Sequence, residues 1–175
     1  MPVQVGSPAP SFQARAYVGF VDEFREITLD GYTGQWLCLF FYPLDFSSVC
    51  ATEIAAFNRA LGEFDARDCA VLGCSTDSAY SHKAFSDTHQ ELGKPRYPLL
   101  ADMTRRISMD YGVLLAEQGV ALRGTFLMDP HAVVRWQAVY DLPVERSVRE
   151  VLRVLDALQS GEPCPCEQLG GVEAI

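Results

Sequence analysis

Six cysteines, Cys38, Cys50, Cys69, Cys74, Cys164 and Cys166, are the residues of this 175-residue chain whose type and spacing could do distinctive chemistry. Cys50 stands apart because of what surrounds it. Leu37 to Tyr42 is an uninterrupted apolar run of strand length, Pro43 stops it, and Ser47 and Ser48 are good helix N-cap residues just before the thiol. A cysteine in the first turn of a helix faces the positive end of the helix dipole, which favours the thiolate, the nucleophilic form. Cys38 and Cys74 fall within apolar strands and read as buried core, and Cys69 opens a strand with no special role. The pair Cys164-Pro165-Cys166 could hold a soft metal. Structural zinc wants four ligands, however, and no third Cys or His lies nearby in sequence, so no metal and no cofactor is expected.

The elements that must position these thiols alternate. Phe12 to Val18 and Ile27 to Leu29 are short strand candidates, and Asp30 to Gly34 is turn chemistry leading into the buried strand Trp36 to Tyr42. From Cys50 on, Ile54, Phe57, Leu61 and Phe64 recur at spacings of three and four, the mark of an amphipathic helix. Cys69 to Ser75 is a second buried strand. Asp77 or Ser78 caps a helix carrying Tyr80, Ala84, Phe85, Thr88 and Leu92, closed by Gly93. Pro98 to Ala101 is a short strand, and Met103, Ile107 and Tyr111 form a helical face before Gly112. Arg123 to Met128 and Val133 to Tyr140 flank Asp129-Pro130-His131, a hairpin signal. A last helix begins near Ser147 with Val148, Val151, Leu152, Leu155 and Leu158 on one face and ends at Gly161. The pattern predicts an α/β fold, a mixed sheet with helices on both faces. Residues 1–160 form one domain in this reading and 161–175 a C-terminal arm.

The composition, 49% hydrophobic and 21% charged, suits one globular domain with a sizeable core. A net charge of -9 with dispersed Lys and Arg argues against nucleic acid as a partner. Met1 to Pro10 has neither a basic segment nor an apolar stretch, and no apolar run approaches membrane-spanning length, so the expectation is a cytoplasmic protein without membrane contact. Six cysteines in such a chain are reactive or buried thiols rather than a disulfide framework.

The stretch around Cys50 resembles the active-site motif of the peroxiredoxins, Pro-x-x-x-Thr/Ser-x-x-Cys, met here by Pro43, Ser47 and Cys50. Its flanks, Phe41-Tyr42-Pro43-Leu44-Asp45-Phe46 and Thr52-Glu53-Ile54, resemble the typical two-cysteine, alkyl hydroperoxide reductase branch. Similar stretches recur at Asp77-Ser78, Pro98 to Asp102, Arg123 to Phe126, Asp129-Pro130 and Gly161 to Pro165. The resemblance implies a thioredoxin-like fold with Cys50 as peroxidatic nucleophile, Arg123 as its activating cation and Pro43 shielding the site. It implies Glu53 in support, although an acid in the first helical turn is also explained by the dipole. Cys164 matches the resolving cysteine, on an arm that could reach a neighbouring subunit, and Cys166 resembles the second tail thiol of a bacterial subset; either could resolve. Partners implied are a hydroperoxide, a reductant (thioredoxin, a flavoprotein disulfide reductase or a small dithiol adaptor), and a second copy in a homodimer or a decamer. Two departures stand out. Ser47 replaces the usual Thr, and Ala51 stands where the family has Pro, which restores a backbone N–H and puts the rigidity of the first turn in question.

The physics asks for such a cation. An ordinary thiol with a pKa of ~8.5 is only about 3% ionised at pH 7. A helix terminus supplies ~0.3–1 kcal/mol, too little to ionise it fully. Full ionisation would itself raise the nucleophile only ~30-fold, so stabilisation of the leaving oxygen must supply most of the rate. Two other classes fit the composition: a general thiol–disulfide oxidoreductase, disfavoured because no Cys-x-x-Cys opens a helix, and a holdase or peroxide-sensing relay.

Overall fold

The computed structural model describes residues 3–162. Seven strands form one sheet, and the helices cover both of its faces. The strands are β1 (Gln13–Val18), β2 (Glu23–Thr28), β3 (Trp36–Phe41), β4 (Cys69–Ser75), β5 (Leu99–Ala101), β8 (Arg123–Met128) and β9 (Val134–Tyr140), in the spatial order β2-β1-β5-β4-β3-β8-β9. A separate two-stranded ribbon pairs β6 (Leu114–Leu115) with β7 (Val120–Ala121). β3, β4 and β5 run parallel, whereas β1, β8 and β9 pair antiparallel with their neighbours. This is the mixed α/β sheet of a thioredoxin-like fold.

Central β3 explains its own sequence. Cys38, Phe40 and Tyr42 point into one apolar cluster, with Ile54, Phe57, Phe64, Phe85, Val151 and Leu155. Leu37, Leu39 and Phe41 point into the other, with Ile107, Tyr111, Phe126 and Val134. A strand buried on both faces has no reason to alternate apolar with polar, hence the uninterrupted run. The helices are α1 (Ser48–Arg59), α2 (Leu61–Asp65), α3 (Ala79–Thr88), α4 (Arg106–Asp110) and α5 (Val148–Ser160).

β4 and β8 have the bounds read from the sequence, and α5 starts after a Ser147 cap and closes on Gly161, left-handed at φ 68°. Helical spacing misleads elsewhere. The helix from Cys50 is broken at Ala60 into α1 and α2, so Leu61 and Phe64 belong to a second helix. α3 stops at Thr88, short of Leu92 and Gly93; the Thr88 hydroxyl back-bonds to the Ala84 carbonyl at 2.7 Å and His89 turns extended. α4 cannot start at Met103, because Arg105 is left-handed at φ 60° and Met103 points to solvent. Cys164, Cys166 and all of the expected arm beyond Glu162 lie outside the described residues.

Candidate active site

Each part of the site is placed by a particular backbone feature. β3 is extended past Phe41 by a hydrogen bond from Tyr42 N–H to the Cys74 carbonyl, 3.0 Å, and Pro43 then ends the ladder, buried. The loop that follows is braced by groups with no obvious signal in the sequence. Asp45 accepts from the Tyr42 hydroxyl at 2.9 Å and lies 2.8 Å from His82 Nδ1, while its own N–H donates to Asp77 at 2.9 Å. His82 is completely buried, with Nε2 3.0 Å from the Leu100 carbonyl. It is a core histidine tied to the site loop, not half of a ligand pair with His89.

Phe46 takes a left-handed φ of 62°, a conformation disfavoured for a bulky residue. Ser47 follows as the N-cap of α1, but its hydroxyl makes no capping hydrogen bond, which leaves it available to a bound molecule. Cys50 sits in the first turn with no exposed surface.

Arg123 comes from a distant part of the chain. β8 pairs with β3 so that Thr125 lies opposite Phe40. Two residues further along this register, Arg123 arrives beside the exit of β3. It is 3% exposed, and its Nη1 donates to Glu53 Oε2 at 2.6 Å and reaches Cys50 Sγ at 3.5 Å. Its Nε donates to the Leu142 carbonyl at 2.7 Å, which fixes the guanidinium plane. Gly124 leaves room beside Arg123 for the Val113 side chain, since a Cβ there would lie 2.7 Å from Val113 Cγ1.

Glu53 is not the first-turn dipole partner that its position suggested, because α1 begins at Ser48 and has no acidic residue in its first turn. It is 3% exposed and bridges two arginines, binding Arg123 through Oε2 and Arg146 Nε through Oε1 at 2.9 Å. Arg146 was not singled out by sequence reasoning, and only its place just before the Ser147 cap could have suggested it. Its guanidinium is fully occupied: it donates to Gly124 O at 2.9 Å, to Thr125 Oγ1 at 3.0 Å and to the Phe41 carbonyl. Burial pushes its proton affinity down and Glu53 opposes that shift.

Two guanidinium groups against one carboxylate leave one positive charge unmatched in a water-poor site. An anion at Cys50 Sγ, or on an oxygen bound beside it, makes the cluster neutral, and unpaired buried charge is costly. Of the other described thiols, Cys38 feels the Arg146 charge, but burial outweighs it. Burial raises the pKa of Cys38 and Cys74 and pushes Cys69 up to about 12. A cavity of about 540 Å³ bounded by Phe12, Arg15, Tyr80, Met103 and Arg106 contains none of the site residues, so the chemistry, not the cavity, locates the active site.

A family model described as the AhpC/TSA family matches residues 5–137. The peroxiredoxin tpx1 of Schizosaccharomyces pombe is 48% identical, with 100% of this chain and 94% of the relative covered. The chain belongs to the AhpC/TSA family, the peroxiredoxins. A thioredoxin peroxidase of Echinococcus granulosus is also 48% identical, covering 94% of this chain and 88% of its own. Among solved structures, the reduced 2-Cys peroxiredoxin of Plasmodium vivax is similar with a TM-score of 0.91 and 40% identity over 98% of this chain and 92% of that one.

Proposed function

We propose that Cys50 is the peroxidatic nucleophile of this thiol-dependent peroxidase. The observation that carries the assignment is the Arg123 Nη1 contact to Cys50 Sγ, made by a guanidinium already anchored on Glu53 and on the Leu142 carbonyl. In this reading the thiolate attacks one peroxide oxygen. Negative charge grows on the other, where Arg123, the Ser47 hydroxyl and the free backbone N–H groups of the first turn of α1 stabilise it. Water or an alcohol leaves, and Cys50 becomes a sulfenic acid. Pro43 keeps bulk water out. The expected result is that Cys50→Ser abolishes peroxide consumption in a coupled assay; unchanged turnover would overturn the assignment.

The resolving step is assigned to Cys164, or Cys166, of another subunit. α5 begins beside the site, where Arg146 N–H meets Glu53, and its far end is tied to Arg67 through Asp156 and Gln159. Thirteen residues of helix span about 20 Å. The three steps from Gly161 to Cys164 cover at most about 11 Å. A chain's own Cys164 therefore falls short of its own Cys50, which supports a disulfide between subunits. β9 ends the sheet; Gly6 and Ser7 pair with Val134 at its start, and no strand pairs with the rest of its outer edge among the described residues, which supports a partner of the same kind there. An external dithiol closes the cycle, and the Echinococcus relative's name supports a thioredoxin. The cytoplasm expected from the sequence is a compartment that supplies such dithiols. No helix among the described residues is long and apolar enough to cross a membrane.

A further inference from the structure

Cys50 has no exposed surface, yet a disulfide requires another sulfur within about 2.05 Å. The first turn of α1 must therefore open after the peroxide has reacted. One hydrogen bond stands at the start of that turn: the Ala51 N–H donates to the Ser47 carbonyl at 3.0 Å, the first main-chain bond of the helix. The Ser47 side chain adds nothing to the closure. On the other side of Ser47, Phe46 is held at φ 62°, a disfavoured conformation, with its ring 5.0 Å from that of Phe85. The helical ladder of α1 continues beyond Ala51, so the Ala51 bond is the outermost one and the first to break when the turn opens from its N-terminal end. Proline at position 51 would have no N–H to donate, and its ring would crowd the Ser47 carbonyl. Thus alanine, whose freer backbone suggested a looser turn, closes it.

We propose that the Ala51 N–H to Ser47 carbonyl hydrogen bond is the latch on the Cys50 turn, which makes Ala51 a positioning residue setting how fast the Cys50 sulfenic acid meets the resolving thiol. The proposal rests on the peroxidase reading above. The step it controls is the attack of a tail thiol on the Cys50 sulfenic sulfur. The S–S bond forms, the S–O bond breaks, and the hydroxyl leaves with the thiol proton as water, with no outside oxidant. While the latch holds, the sulfenic acid stays beside the groups that activate peroxide and is exposed to a second oxidation to sulfinic acid.

The test is single-turnover rapid quench of the full-length protein with stoichiometric hydrogen peroxide, following Cys50 oxidation, disulfide and sulfinic acid separately by mass spectrometry. Two variants are compared with the parent: Ala51→Pro, and a chain in which lactic acid at position 51 replaces the amide N–H by an ester oxygen, which keeps the side chain and otherwise only weakens the Cys50 carbonyl as an acceptor. In both, disulfide formation is expected to speed up about fivefold, the effect of losing one ordinary hydrogen bond. The sulfinic fraction should fall while the oxidation phase remains. An oxidation phase with unchanged or slower disulfide formation in the ester chain overturns the latch, whatever the proline variant does. Absence of any Cys50 oxidation in the parent would instead overturn the peroxidase assignment beneath it.

Discussion

At the residue scale the site depends on how one guanidinium divides its donors. Arg123 Nε is committed to the Leu142 carbonyl, and Nη1 is shared between Glu53 and Cys50. A lysine could keep the charge but not a planar fork that holds an anchor and the sulfur together. Arg123→Lys is therefore expected to lower the second-order rate of Cys50 oxidation about 100-fold, the usual loss when one oriented donor is removed. Stopped-flow peroxide consumption checks this. The remaining described thiols differ by environment alone. With Cys69 pushed up to about 12 by burial, and Cys38 and Cys74 raised by the same cause, all three stay protonated at neutral pH. Iodoacetamide at pH 8 should leave them unmodified in the native protein and label them after unfolding, as read by peptide mass spectrometry.

At the scale of elements, Glu53 ties three pieces together: α1 which carries it, β8 through Arg123, and the segment entering α5 through the Arg146 N–H and guanidinium. Removing one member of a buried ionic cluster leaves the others uncompensated. Glu53→Ala should destabilise the fold by about 3–5 kcal/mol in urea unfolding, and Glu53→Gln by clearly less, because the amide oxygen can still accept. The elements also show where pattern reading works. β4 was legible to the residue because a doubly buried strand leaves a nearly continuous apolar run, and the end of β8 because Asp129-Pro130-His131 stops it. Where a polar side chain or a left-handed residue decides the boundary, as Thr88 does for α3 and Arg105 for α4, the spacing of apolar residues extends helices too far.

At the scale of the whole molecule, the span of α5 sets the reaction's stoichiometry. It ends about 20 Å from the site at which it starts, so on the reading proposed above one chain should not complete a cycle alone. Mixing Cys50→Ser chains with Cys164→Ser chains is expected to restore a peroxide-dependent covalent dimer on non-reducing gels, although neither variant forms one through Cys50 and Cys164 by itself. Failure to restore it would place the resolving thiol elsewhere. By itself the sequence determined the buried strand, the helix that follows it, and a thiol in that helix's first turn, because these rest on local rules of periodicity, capping and breakers. The same stretch, set beside a family resemblance, named Pro43, Ser47, Cys50 and Glu53, and the separate match at Arg123 to Phe126 named Arg123. Only the tertiary structure decided that Glu53 is a bridge, that Arg146 completes it, and that Tyr42, Asp45 and His82 brace the loop. The reason is physical: Glu53 and Arg146 lie 93 positions apart in the chain, and Tyr42 and His82 lie 40 apart. What joins them is charge neutrality and hydrogen-bond satisfaction in a buried space, which leave no periodic trace along the sequence. Ala51 lies between the two. Its identity is visible in the sequence, but the direction of its effect depends on where its N–H points.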